Sequence, residues 1–404
     1  MKKVVLPSLL LGTLLSANSF DQSQFTPDIS LIVDTSFVSH SLKDEELAHL
    51  QIPSIAEGIM GGHSHGGHEE APMNAKNGFN LNYAELSMHS IVDPYFELDG
   101  VFHFNEGGVE IEEAYFTSTS LPYNLLVRGG KFRSRFGRIN SQHQHVQDFS
   151  DMPLVYHAFL GEHGINEVGV SLEYLAPTDL YLNFTLEALQ GTNEAMFGNA
   201  AIMDGEDVVS PSTSQPNLFV GTLKSALEYD ETTLLYGASI AYGGSRVNHM
   251  DDETPHAFSG ISKLYGLDAT LKHYLNSYSY ISWQSELLYR DLEGDKYDKN
   301  FIPSTLHKEQ AGFYTQLLYA YNQNYRVGTR YDSIYKNLVN DKHSQEDLKR
   351  YSLMAEYLPS EFTKFRLQYN HNHALFSEDG LRQDLNTIIL EVNIAIGAHG
   401  AHAF

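Results

Sequence analysis

The stretch TIILEVNIAI, residues 387–396, puts Leu390, Val392, Ile394 and Ile396 on one side of an extended chain. Thr387, Glu391, Asn393 and Ala395 fall on the other side, with Ile389 as the exception. Successive side chains of a strand point to opposite faces, so this period of two describes a strand with one apolar and one polar face. FRLQYNHNH (365–373) repeats it, with Phe365, Leu367 and Tyr369 set against Arg366, Gln368 and Asn370. GFYTQLLYAYNQ (312–323), SYSYISWQSELLYRD (277–291) and LFVGTLKSALEYD (218–230) show the same habit less cleanly.

Turn signals cut the chain between such runs: VDP at 92–94, SLP at 120–122, APTD at 176–179, YDET at 229–232, LNS at 275–277, NQN at 322–324 and PSE at 359–361. Each is rich in residues that favour turns for backbone reasons. Longer polar connections lie near 39–77, 133–165, 191–215, 243–259, 291–307, 338–348 and 375–384, with a short hinge at Asn105–Gly108. Short and long connections alternate, the asymmetry of an outer-membrane barrel with tight turns at one rim and long loops at the other. The segments predict a closed antiparallel transmembrane β-barrel of about 16 strands with both ends in the periplasm. A soluble all-β sandwich would share the alternation but not the strict alternation of loop lengths. A barrel of this size leaves an aqueous interior, which raises the question of what narrows it.

The chain opens MKKVVLPSLLLGTLLSANSF. Two lysines, an apolar run and small residues predict a secretory signal over 1–19, with 20–404 as a single barrel domain. No later run is long and apolar enough for a membrane helix. Cysteine is absent, so the exported fold must hold without disulfides. A formal charge of −25 excludes nucleic acid as a partner, since phosphate binding needs a basic surface. Outer-membrane lipid and small solutes or divalent metal ions are the expected partners, with a homotrimer as the candidate assembly. The terminal Phe404 fits the same reading.

In this acidic chain, RGGKFRSRFGR concentrates Arg128, Lys131, Arg133, Arg135 and Arg138. They lead into the long third connection. Folded inward, that connection would form a constriction whose cations focus anions. The alternative is a lumenal ladder pairing with acids such as Glu110, Glu112 and Glu113. The run continues with His143, His145 and Asp148, followed by Asp151, His157, Glu162 and His163. Imidazole and carboxylate suit zinc, so His143, His145 and Asp148 are candidate ligands, or else polar loop residues that merely hydrogen-bond. GGHSHGGHEEAP (61–72) supplies a second candidate set: His63, His65, His68, Glu69 and Glu70 among glycines. No cofactor is required by this reading; zinc is the one suggested. GxSxG, HExxH and GxxxxGK[ST] are all missing, which points away from catalysis.

PDISLIVD (27–34), GFNLNYAELSMHSIVDPYF (78–96), VEIEEAYFTSTSLP (109–122) and GKFRSRFGRINSQHQHVQDFSDMPLVYHAFLG (130–161) resemble a family of porin-like bacterial outer-membrane proteins. Some members carry the label zinc-regulated TonB-dependent outer-membrane receptor, and the family is akin to phosphate-selective porins. Gly130, Phe132, Gly137, Arg138, His143, His145 and Asp148 match its most recognisable run. A TonB-dependent receptor carries a plug domain and a barrel of 22 strands. The short stretch between the signal and the first strand predicts a porin-like barrel without a plug. The resemblance implies a porin-like channel for small solutes or ions, and the histidines and carboxylates of the first loop add a link to divalent metal uptake, with zinc the leading metal. A general or anion-selective porin without a metal role, and a surface-binding barrel with an occluded lumen, are the alternatives.

Overall fold

The computed structural model describes residues 27–47, 50, 52, 73–105, 108–161, 163–193, 196–250, 255–343, 347–377 and 380–397. Strands β1 (Asp28–His40), β2 (Gly78–Ile91), β3 (Phe96–Asn105), β4 (Gly108–Ser118), β5 (Leu125–Arg133), β6 (Asn166–Leu175) and β7 (Tyr181–Leu189) form the first part of the wall, with a one-turn helix α1 (Asp44–Leu47) after β1. A separate hairpin follows, β8 (Ile202–Asp204) and β9 (Asp207–Ser210). The wall resumes with β10 (Leu218–Tyr229), β11 (Thr232–His249), β12 (His256–Tyr274), β13 (Tyr280–Tyr297), β14 (Pro303–Ala320) and β15 (Tyr325–Val339). After the two-residue β16 (Lys342–His343), it is completed by β17 (Leu348–Ser360), β18 (Thr363–Phe376) and β19 (Arg382–Gly397).

Each of the sixteen wall strands pairs antiparallel with its neighbours, and β1 pairs with β19 to close the ring. At this seam Leu31 faces Ile396 and Phe37 faces Leu390 on the outside, while Asp34 faces Asn393 and Ser36 faces Glu391 within. No helix of the described residues is long and apolar enough to cross a membrane; the crossing elements are the strands.

The outer surface is an apolar belt, with Leu317, Val327, Leu353, Leu367, Leu390 and Ile394 among its exposed residues. Aromatic rings edge the belt. Tyr325, Tyr357 and Phe365 stack along the short-turn rim, and Tyr331 and Tyr351 pair nearer the other. Such amphipathic rings settle at the lipid–water interface.

Two long connections expected from polar composition are shorter than their sequence suggests. Residues 243–249 and 291–297 continue β11 and β13 as strand, because 18-residue strands overrun the roughly 10 residues needed to cross lipid. Their polar ends project as a ladder beyond the membrane. The interior departs from an open aqueous lumen more sharply. Apolar residues of the connection between β5 and β6 pack there with inward wall residues Leu264, Leu288, Tyr314 and Ile334. Ile389, the exception in TIILEVNIAI, is an inward residue of the same region and lines a cavity beside that connection.

The chain's lack of cysteine makes the belt testable with single cysteines carrying a fluorophore. In a bilayer, labels at Leu390 and Ile394 should be quenched by brominated acyl chains, and labels at Glu391 and Asn393 should not. Equal quenching at all four would refute the register.

Candidate functional site in the barrel lumen

Between β5 and β6, residues 134–161 and 163–165 lie inside the barrel and run round its interior. The run LVYHAFL forms α2 (Leu154–Leu160), and every residue of it except His157 is buried. Leaving such large apolar side chains in water would cost about 1.5–3 kcal/mol each, so the run turns onto the apolar lumenal residues. Main-chain polar groups carried into the barrel must also find partners.

Wall side chains supply them. Glu286 on β13 accepts from the backbone N–H of Arg138 (2.7 Å) and Ile139 (2.9 Å), and from the hydroxyls of Tyr156 (2.7 Å) and Tyr314 (2.6 Å). Lys364 and Arg366 on β18 donate to the carbonyls of His145 (2.9 Å) and Gln147 (2.8 Å). Gln368 accepts from the N–H of Ser150, and Asp332 from that of Leu154. Arg290 lies over the Phe159 ring at 5.0 Å. The segment is thus bonded to strands around the ring. Gly137, at φ +62°, makes the entry turn, and a Cβ there would collide with Tyr156 Oη and Glu286 Oε2.

The five basic residues singled out in the sequence are placed at this entrance, and the partners found are those of a charge ladder. Arg128 approaches Glu173 (3.7 Å) and lies over the Tyr115 ring. Lys131 donates to the Ile111 carbonyl and lies 3.8 Å from Glu110. Arg133 binds Glu112 through Nε (2.9 Å), and its N–H donates to Glu113. Arg135 binds Glu173 (3.2 Å), and the N–H of Arg138 serves Glu286.

A second basic ladder escaped the sequence reading. Arg326, Arg330, Arg350, Lys364 and Arg366 project inward from β15, β17 and β18. They face Glu356, Asp332 and Glu391 on the wall, and Asp148 and Asp151 on the inward segment. The signal was available: each of the five occupies the polar phase of an alternating strand, but they are spread over a long stretch of sequence rather than clustered. Beside this ladder a cavity of about 230 Å³ is lined by Asp151, His157, Arg350, Asn370, Asn372 and Thr387, among others. His157 is half-buried, and the loss of water around its ring, with Arg350 nearby, pushes the imidazole down to about 4.

The histidines of the run divide from its aspartate. His143 and His145 meet glutamates of the wall next to β5, Glu85 on β2 and Glu112 and Glu113 on β4, and His103 on β3 meets Glu85 and Glu112 in turn. Asp148 lies elsewhere, accepting from Gln316 (2.9 Å) and 3.6 Å from Arg326, so it does not join His143 and His145. Burial disfavours the His143 imidazolium, yet the charge of Glu112, the hydrogen bond to Glu113 and the nearness of Glu85 hold its pKa well above the ordinary value. For His145 burial prevails over Glu85 and lowers it. His63, His65, His68, Glu69 and Glu70 lie outside the described residues.

Replacing Gly137 by alanine should loosen this segment at a cost of about 1–3 kcal/mol. Limited proteolysis within 138–160 should accelerate relative to Gly221→Ala, whose Cβ meets only ordinary contacts at 3.5 and 3.7 Å. Equal rates for the two variants would contradict the docking described.

Solved structures similar to this one are outer-membrane barrels. The outer-membrane channel DcaP of Acinetobacter baumannii superposes with a TM-score of 0.54 at 12% identity, over 93% of this chain and 99% of that one. OmpT of Vibrio cholerae gives 0.53 at 10% identity, over 92% and 98%. The anion-selective porin from Comamonas acidovorans gives 0.51 at 10%, over 92% and 100%. At these identities the likeness is one of fold, and the fold, with its lipid-facing belt, places this chain in the bacterial outer membrane. No family model matches. An uncharacterised protein of Aquifex aeolicus (strain VF5) is 46% identical over 390 residues, covering 95% of this chain and 81% of that protein. The chain therefore belongs to the family of that Aquifex aeolicus protein, and its fold is that of a porin.

Proposed function

We propose that the protein is an outer-membrane channel for small solutes, narrowed by the inward segment 134–165. The observation that carries this reading is the circuit of that segment through the lumen, bonded to wall side chains on several sides. A solute crossing the barrel would pass beside the segment, because the ladder of β15, β17 and β18 is bonded directly to it. Charges of that ladder are paired. The five bases from Arg326 to Arg366 face the five acids Glu356, Asp332, Glu391, Asp148 and Asp151. Pairing at short range weakens the net field, so selectivity between small anions and cations should be modest.

The apolar packing of α2 supports a second reading, a barrel whose lumen is closed until the segment moves. A trimer is part of the proposal, since one form of Vibrio cholerae OmpT is a trimer and carries the same fold.

Planar-bilayer recording separates the two readings. The channel reading expects steady single-channel steps from the wild type, larger steps from Glu286→Gln, and a reversal potential near zero in a salt gradient. Silence from the wild type with conductance in Glu286→Gln would favour the closed barrel. Silence from both would sink the channel reading.

A further inference from the structure

Four features of the histidine–glutamate cluster point to an ion. The first is spacing. Glu85 Oε2 lies 3.3 Å from His145 Nδ1 and 3.7 Å from His143 Nδ1, and Glu112 Oε2 lies 3.4 Å from His143 Nδ1. Donors held at about 2.0–2.2 Å around a tetrahedral ion stand roughly 3.3–3.6 Å apart, because the tetrahedral edge is about 1.63 bond lengths. The donors of Glu85, His143 and His145 lie within 4.8 Å of one another, and Glu85 and Glu112 form a second such group with His103. The second is an orphan. Glu112 is 5% exposed and its Oε2 makes no hydrogen bond, although His103 Nε2 is 2.6 Å away. A buried carboxylate oxygen without an aligned donor is one that a cation would satisfy.

The third is the outer support. His143 Nε2 is 2.7 Å from Glu113 Oε2, which leaves Nδ1, itself without a hydrogen bond, turned toward Glu85 and Glu112. A carboxylate on the far nitrogen is the usual partner of a metal-ligating histidine. The fourth is charge. Glu85, Glu112 and Glu113 are all buried, with Arg133 as their close guanidinium. Three buried carboxylates gathered on one guanidinium favour a further cation among them, which a bound metal ion would supply.

We propose that Glu85, Glu112, His143 and His145 hold one divalent transition-metal ion, which fastens the inward segment to the wall at β2 and β4. Imidazole and carboxylate donors without thiolate favour zinc. Glu113 orients His143. His103, stacked on Tyr83 with ring centroids 5.3 Å apart, is a positioning residue for Glu85 and Glu112.

The test uses the full chain in detergent, carrying His63→Ala, His65→Ala and His68→Ala to silence the other histidine-rich run. After chelation and dialysis the protein is reloaded with zinc alone, and metal content is measured. One zinc per chain is expected. His143→Ala with His145→Ala should abolish it, and Glu113→Gln should weaken binding by about 10–100-fold. Unheated gel mobility establishes that each variant is a folded barrel. Cobalt in the unaltered cluster should give the visible absorption of a four-coordinate nitrogen–oxygen site, a readout that needs no cluster variant. No retained zinc with the cluster intact, or retention indifferent to the double substitution in a folded barrel, would overturn the proposal. Metal content is read without conductance, so this outcome is independent of whether the pore conducts.

Discussion

Lipid offers no hydrogen bonds, and the rest of this structure follows from that constraint. Every backbone N–H and C=O within the bilayer must be paired inside the protein, which a sheet achieves only by closing on itself. The pairing of β1 with β19 is that closure. Once the sheet is closed, side-chain alternation sorts apolar residues outward and polar ones inward, giving a lumen rich in donors and acceptors. The same rule extends to the segment folded into the lumen. Its main-chain groups lie away from bulk water, and Glu286, Asp332, Gln368, Lys364 and Arg366 satisfy them.

The fold was legible because a strand with one lipid face writes its orientation into every second residue. TIILEVNIAI and FRLQYNHNH needed no tertiary information. Strand ends were less legible: residues such as Glu293, Asp295 and Lys296 look like a loop, because beyond the membrane a strand no longer needs an apolar face. Ile389 looked like an error of alternation, and it is instead an inward residue serving the lumenal packing.

The site was legible only in part. A cluster close in sequence, such as Arg128 to Arg138, is easy to see, and so are its β4 partners Glu110, Glu112 and Glu113 a few residues upstream, whereas Glu173 on β6 and Glu286 on β13 are too distant in sequence to be named with it. The ladder of Arg326, Arg330, Arg350, Lys364 and Arg366 assembles across three strands, so its density exists only in the folded ring. Likewise His143 and His145 were visible as a pair. Their neighbours Glu85, His103 and Glu112 come from two hairpins far upstream, and the nearby Asp148 turns to Arg326 instead. Short-range spacing in a loop says little about which wall the loop will touch.

The central claim is that residues 134–165 are held in the lumen as part of the packed structure rather than as a surface connection. Amide hydrogen exchange of the full chain in detergent tests it most directly, because protection requires bonded, water-excluded backbone. The account predicts that the N–H groups of Arg138, Ile139, Ser150 and Leu154 exchange as slowly as those of the neighbouring strands, and far more slowly than the exposed turn at 275–278. Exchange in this segment as fast as in that turn would contradict it.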